Sequence, residues 1–209
     1  TQSNTGLNEI SNNIIRKVQT GGISCYAYGN SVNQIFENIV DSTGNNGMIL
    51  YGENIACYNN KITNLLSGIG LNIYDSDADV FNNYIHATGT GESIGISVNG
   101  SENSNNSINI LFNSINVTST DPINGRAIEI NSGNNLTVKN NIFANNGGGY
   151  AAYIANSIAG SQFDYNDYYT SGAQLARIGL NDVIDLAAFT SETGQDAHSV
   201  SVNPMYTSS

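Results

Sequence analysis

Apolar residues recur along this chain in short alternating groups, and an asparagine follows each group. Seven such asparagines lie 22 to 30 residues apart: Asn13, Asn38, Asn60, Asn83, Asn113, Asn141 and Asn166. An apolar side chain stands three residues before each of them: Ile10, Ile35, Cys57, Val80, Ile110, Val138 and Phe163. Alternation of this kind predicts short β-strands with one buried face, and its repetition predicts a solenoid.

A second alternating strand recurs in phase with the first. It starts at a small residue, namely Gly22, Gly47, Gly70, Gly95, Ala127 and Ala151. The predicted inward pairs are Ile23/Cys25, Met48/Leu50, Leu71/Ile73, Ile96/Val98, Ile128/Ile130 and Ala152/Ile154. One copy is too short to bury its apolar face, whereas stacked copies bury a continuous core. The repeated Asn suits the bend, because Asn tolerates left-handed backbone and stacked amides can hydrogen-bond from rung to rung.

The end of the chain departs from the repeat. We predict repeats over residues 1–169 and a capping segment of the same domain over 170–209. Asp185 suits a helix N-cap and Gly194 a helix stop, so we expect a short helix over the last rung. The N-terminal end shows no comparable cap, and we expect further rungs or another domain before Thr1.

These repeats and the tail segments 185–189 and 203–206 resemble the pectin lyase-like superfamily of the secreted bacterial type. The resemblance implies an all-β fold, a single-stranded right-handed parallel β-helix of about seven rungs with a short C-terminal helix. The superfamily includes lyases, epimerases, polygalacturonases and non-catalytic adhesins, so the fold does not select an activity. The hydrolase segments Gly-His-Gly and Arg-x-Lys are absent from the sequence, which lowers the expectation of an enzyme.

Charge narrows the range of partners. The net charge is −11 with six basic residues, so a phosphate backbone would repel the chain and we expect no nucleic-acid partner. No stretch is apolar for long enough to span a membrane. Low charge and abundant Asn, Gly, Ser and Thr favour an extracellular or cell-surface location. Cys25 and Cys57 fall on different predicted strands, so we expect buried free thiols, with a disulfide as the alternative.

Three tyrosines are the first candidate site. Tyr26, Tyr51 and Tyr74 take the same outward position on successive rungs, beside Asn72 and Asn99. Aromatic faces flanked by amides suit a polysaccharide, whose apolar ring faces stack while its hydroxyls hydrogen-bond. The alternative is that stacked tyrosines only stabilise the sheet.

An acidic turn is the second candidate. Asp75, Asp77 and Asp79 follow the third Gly strand, and the neighbouring turns carry Glu53 and Glu102. Such carboxylates could hold Ca²⁺ with oxygen ligands. The alternative is a solvated acidic turn.

The third candidate is a mixed cluster on the outer face of the strand after the Asn. Lys61 and Tyr84 are predicted to be neighbours on adjacent rungs, with His86 beside them. A polysaccharide lyase needs a base and a cation near the uronate carboxylate, and these residue types can supply both. Chance placement on the surface is the alternative.

Together these features favour a non-catalytic secreted or cell-surface β-helix that binds polysaccharide or serves as a structural or adhesive module. The alternative is a lyase or epimerase of acidic glycans, which would need more cations than six basic residues provide. Two further expectations concern single residues: an exposed Arg126–Asp121 ion pair, and a capping contact for His198.

Overall fold

The computed structural model describes residues 6–100, 107–156, 158 and 160–206, and in them the repeating strands stack into three sheets. Sheet 1 contains β1 (Leu7–Ser11), β4 (Val32–Phe36), β7 (Ile55–Tyr58), β10 (Ala78–Phe81), β13 (Ile108–Leu111), β16 (Leu136–Lys139) and β19 (Gln162–Asp164). Sheet 2 contains β2 (Ile14–Val18), β5 (Ile39–Thr43), β8 (Lys61–Leu65), β11 (Tyr84–Ala87), β14 (Ser114–Val117), β17 (Ile142–Asn145) and β20 (Asp167–Thr170). Sheet 3 contains β3 (Ile23–Ala27), β6 (Met48–Gly52), β9 (Gly68–Tyr74), β12 (Ser93–Asn99), β15 (Gly125–Ser132), β18 (Tyr150–Ile154), β21 (Ala176–Ile178) and β22 (Asn181–Val183).

Each rung gives one strand to each sheet, and neighbouring rungs pair in parallel. Only the last pair of sheet 3, β21 with β22, is antiparallel among the described strands. The predicted all-β solenoid of about seven rungs with one short C-terminal helix is therefore confirmed. The predicted division at residue 169 falls inside β20, and sheet 3 continues beyond it. No helix within the described ranges is long and apolar enough to cross a membrane.

The inward side chains form one continuous core between the three sheets. All the predicted inward pairs of the second strand are buried, from Cys25 at 8% exposure to Leu50 at 0%. Cys25 and Cys57 are free thiols in this core, as expected, and burial raises the pKa of Cys57 to about 12. The glycine before four of these pairs has a steric cause. A Cβ on Gly70 would lie 2.4 Å from a methyl of Ile85 on sheet 2, so the two sheets approach closely there.

The seven aligned asparagines form a buried amide ladder along the helix axis. Each Nδ2 donates to the Oδ1 of the next Asn along the ladder, at 2.9–3.0 Å from Asn13 to Asn166. From Asn13 to Asn141, the backbone N–H of each Asn donates to the same oxygen at 2.9–3.0 Å. The left-handed residue of the bend is the one before the ladder Asn, at φ 54–59°: Asn12, Glu37, Asn59, Asn82, Phe112, Asn140 and Tyr165. The ladder Asn itself therefore supplies hydrogen bonds, and its neighbour supplies the turn.

The C-terminal end of the core is closed by helix α1 (Leu186–Thr193). The Asp185 side chain accepts from the Ala188 N–H at 2.8 Å, and Gly194 ends the helix at φ 67°, so both predicted caps are present. Phe189 packs against Tyr168 with ring centroids 5.2 Å apart. The ladder ends at Asp196, whose Oδ1 accepts from Asn166 Nδ2 at 3.1 Å, and burial raises the pKa of this carboxyl.

Asn83→Ala tests the ladder. Asn83 serves both neighbours: its Oδ1 accepts from Asn60, and its Nδ2 donates to Asn113 and to the Cys57 carbonyl. An unsatisfied buried polar group costs roughly 1–3 kcal/mol, so we expect the free energy of unfolding to fall by about 3–5 kcal/mol. Urea denaturation followed by circular dichroism measures it.

Asn109→Ala is the matched control for that variant. Its amide makes one outer-face bond, to Asp79 at 2.7 Å, and we expect a change within about 0.5 kcal/mol. Equal losses in the two variants would show that the ladder has no special role in stability.

Candidate functional site

The three predicted tyrosines form a column on the outer face of sheet 3. The strand register pairs Tyr26 with Tyr51 and Tyr51 with Tyr74. The Tyr26 and Tyr51 rings are tilted with centroids 6.0 Å apart, and Tyr28 approaches Tyr51 at the same distance. Tyr26 is 58% exposed and Tyr28 73% exposed, so their rings are open to a ligand. Sequence reasoning missed Tyr28, although its position two residues after Tyr26 was a signal for the same face.

A chain of amides extends this column across the next rungs. Asn131 Nδ2 donates to Asn99 Oδ1 at 3.0 Å, and Asn99 Nδ2 donates to Asn72 Oδ1 at 3.1 Å. Asn72 Nδ2 in turn donates to the Tyr74 hydroxyl oxygen at 2.9 Å. The predicted residues Asn72 and Asn99 are therefore joined to Tyr74. Because the Tyr74 oxygen accepts this bond, its O–H proton is oriented away from Asn72 and can be donated to a ligand.

An ion pair lies beside the amides on the same face. Arg126 Nη1 contacts Glu129 Oε1, and the two side chains are only 14% and 7% exposed. Ser97 Oγ donates to the other carboxylate oxygen at 3.0 Å, and the guanidinium lies 3.9 Å from the Tyr153 ring centroid. The expected exposed pair of Arg126 with Asp121 is wrong. Asp121 instead accepts backbone N–H bonds within its own turn, because β15 directs Arg126 toward Glu129.

The predicted calcium ligands are not gathered into one cluster. Asp79 lies between Ala56 and Asn109 in the register of sheet 1, so its neighbours in the stack are not carboxylates. Asp77 Oδ1 accepts from the Ser107 N–H at 3.4 Å. Within the part of the chain that the structure describes, no three His, Cys, Asp or Glu side chains stand close enough to hold a metal. Asp75 and Glu53 form no such group, and Glu102 lies outside the described residues.

Lys61, Tyr84 and His86 do lie together on the outer face of sheet 2. Lys61 pairs with Tyr84 in the register, and its Nζ is 6.0 Å from the Tyr84 ring centroid. His86 Nε2 lies 3.3 Å from Thr118 Oγ1. Burial raises the pKa of the Tyr84 phenol and lowers the pKa of the His86 imidazole. Both groups are therefore held neutral at pH 7, which leaves Lys61 as the one cation of the predicted trio.

The C-terminal tail crosses this cluster, which the sequence did not reveal. The tail joins sheet 2 at a parallel bridge between Asp167 and Val200. It then reaches Tyr206, whose hydroxyl lies 2.6 Å from Ser114 Oγ and whose ring meets Tyr84 edge-on at 6.4 Å. Burial raises the pKa of Tyr206 to about 12. The tail therefore covers part of the predicted catalytic residue Tyr84.

Fold and surface together define the class of protein as a parallel β-helix with an aromatic and amide column on one face. Comparison with known proteins goes no further, since no family model, no curated protein and no solved structure gives a significant match to the chain.

The Arg126–Glu129 pair gives a testable coupling. Arg126→Met leaves a nearly buried carboxylate without its cation, so we expect the free energy of unfolding to fall by about 3 kcal/mol. The double variant Arg126→Met/Glu129→Gln removes that charge while its amide oxygen can still accept from Ser97. We expect it to recover about 1–2 kcal/mol of the loss, measured by urea denaturation.

Arg177→Met is the control for this coupling. Arg177 pairs with Asp182 at 3.4 Å, with side chains 28% and 43% exposed, and the loss should stay below about 1 kcal/mol. A double variant as unstable as Arg126→Met alone would contradict the coupling.

Proposed function

We propose that this chain is a non-catalytic β-helix domain, secreted or on the cell surface, that binds polysaccharide along the outer face of sheet 3. We assign it to the pectin lyase-like superfamily on the resemblance of its repeats. The observation that carries the binding proposal is the in-register column of Tyr26, Tyr51 and Tyr74.

The chemistry of this face suits a sugar chain. Aromatic rings occupy this position on three successive rungs, at a spacing of roughly 4.8 Å, and the outer two, Tyr26 and Tyr74, are exposed, so a polymer can stack on them along the axis. The partly exposed amides of Asn99 and Asn131 add donors and acceptors for sugar hydroxyls beside the rings. The sequence predicts that Asn72 binds the ligand directly, but it is only 1% exposed and instead orients the Tyr74 hydroxyl. The net charge of −11 favours a neutral polysaccharide over a polyuronate. A structural or adhesive role is compatible with the same binding.

The second candidate function is a lyase or epimerase of acidic glycans at Lys61, Tyr84 and His86. The adjacency of Lys61 and Tyr84 favours it. Two observations weigh against it. The Tyr206 ring lies against Tyr84, and burial raises the pKa of Tyr84, which makes the phenolate base harder to form.

Tyr26→Ala and Tyr74→Ala test the binding face. An aromatic stacking contact is worth roughly 0.5–1.5 kcal/mol, so each variant should weaken polysaccharide binding by about 2–10-fold. Affinity electrophoresis in gels containing xylan, mannan or mixed-linkage glucan measures the change. Leu66→Ala, which removes a 63% exposed side chain elsewhere, should bind like the parent protein. If the parent protein is not retarded by any of these polymers, the proposal is wrong.

An activity assay decides between the two functions. We expect no unsaturated product, followed by ultraviolet absorbance, when the protein is incubated with alginate, pectate or chondroitin. Product that forms with the parent protein and disappears in Lys61→Ala or Tyr84→Phe would establish the lyase instead.

A further inference from the structure

The left-handed position before each ladder Asn carries two unusual residues. Asn occupies this position on four of the seven rungs, as Asn12, Asn59, Asn82 and Asn140. Phe112 and Tyr165 occupy it on two others, at φ 57° and 59°. Left-handed backbone is unfavourable for bulky residues and tolerated by Asn. Phe112 and Tyr165 therefore destabilise the bend locally, so their rings are expected to have another role.

The two side chains line one cavity on the surface. Phe112 and Tyr165 are two rungs apart, which places their backbones roughly 9–10 Å from one another, with Asn140 on the rung between. Both are well exposed, at 58% and 55%. The cavity has a volume of about 490 Å³ and is open to solvent, and its other lining residues include Ile142 and Val200.

The C-terminal tail supplies one wall of this cavity and fixes one ring. The His198 ring stacks on Tyr165, with centroids 5.0 Å apart and an interplanar angle of 10°. Asp164 holds His198 through its backbone N–H at 2.8 Å and its Nδ1 at 2.7 Å. His198 is therefore the tail contact that the sequence suggested. One face of the Tyr165 ring is occupied by His198, which leaves the opposite face for another group.

The contacts that anchor the C-terminal tail do not explain why a bulky residue, Phe112, occupies this left-handed position. Within the described residues the Phe112 ring makes no ring–ring contact, whereas Tyr165 has His198. Phe112 is exposed, unstacked and held in an unfavourable backbone conformation. Its contacts therefore show no structural role for its ring. The apolar ring instead lines the cavity.

Polar groups in the cavity can form hydrogen bonds with a ligand, which the aromatic rings alone cannot provide. The Asp167 carboxylate accepts one bond, from the Val202 N–H at 2.9 Å, and retains further acceptor sites. The Asn140 amide offers a donor and an acceptor between the two rings. Two carboxylates, Asp164 and Asp167, lie at or beside the cavity and would repel an anionic sugar.

We propose that this cavity is a second carbohydrate site, which takes a neutral pyranose between Phe112 and Tyr165. The apolar faces of the sugar stack on the two rings, and its hydroxyls bond to Asn140 and Asp167. The site lies at the bend between sheets 1 and 2, away from the tyrosine column of sheet 3, and it does not depend on that column.

Phe112→Asn is the decisive variant, because it installs the residue that other rungs carry at this position. If Phe112 serves a ligand, the variant should melt at the same or a higher temperature than the parent while it loses sugar binding by tenfold or more. The probes are methyl glucoside, galactoside and mannoside, titrated into ¹⁵N-labelled protein and followed by the amide shifts of residues 112, 140 and 165. Ile123→Asn, at another exposed apolar residue, is the control and should bind normally.

The outcomes separate this site from the one on sheet 3. Saturable shifts that persist in Tyr26→Ala and vanish in Phe112→Asn support the inference. The inference is overturned if no neutral sugar gives saturable shifts, if glucuronate binds more tightly than the neutral sugars, or if Phe112→Asn lowers the melting temperature and leaves binding intact. Binding lost only in Tyr26→Ala would also overturn it, while supporting the proposal for sheet 3.

Discussion

The structure depends on the buried amide ladder. Each ladder Asn satisfies polar groups of both neighbouring rungs, so a rung that slipped by one residue would bury unpaired amides and carbonyls. This constraint fixes the register of all three sheets. Register then determines which side chains align along the axis, and every candidate site on the surface is a column or a bend set by it. The ladder is therefore the link between the repeat in the sequence and the chemistry on the outside.

Because the ladder and the inward side chains hold the fold, the outward positions can carry other chemistry. On sheet 3 they carry Tyr26, Tyr51 and Tyr74, followed by the amides of Asn99 and Asn131. On sheet 1 they carry a stack in which the Tyr58 ring lies between Phe36 and Phe81, at 5.0 and 4.8 Å and nearly parallel. The two columns differ in geometry: the rings of sheet 1 are parallel and in contact, which stabilises the sheet, whereas the Tyr26 and Tyr51 rings of sheet 3 are tilted and Tyr26 is exposed.

The C-terminal segment does more than close the core. Asp196 accepts the last ladder amide, and the chain then returns along sheet 2, where Val200 pairs with Asp167 and Tyr206 reaches Tyr84. The cap, the tail and two candidate surface sites are thus one connected structure. Its path makes one wall of the cavity at Tyr165 and covers part of the cluster at Tyr84.

The sequence by itself determined the solenoid, the buried pairs, the tyrosine column, the adjacency of Lys61 and Tyr84, and the caps at Asp185 and Gly194. These features follow from the sequence repeat or from local capping residues, and both can be recognised in the sequence alone. The sequence also shows that Phe112 and Tyr165 occupy equivalent positions. Their significance is recognised only when the left-handed conformation is assigned to the residue before the ladder Asn. The tertiary structure alone decided that Arg126 pairs with Glu129, that Asp79 is flanked by Ala56 and Asn109 in sheet 1, and that Tyr206 lies against Tyr84. Those contacts depend on the direction of individual side chains and on the route of a non-repeating tail, and neither has a periodic signal.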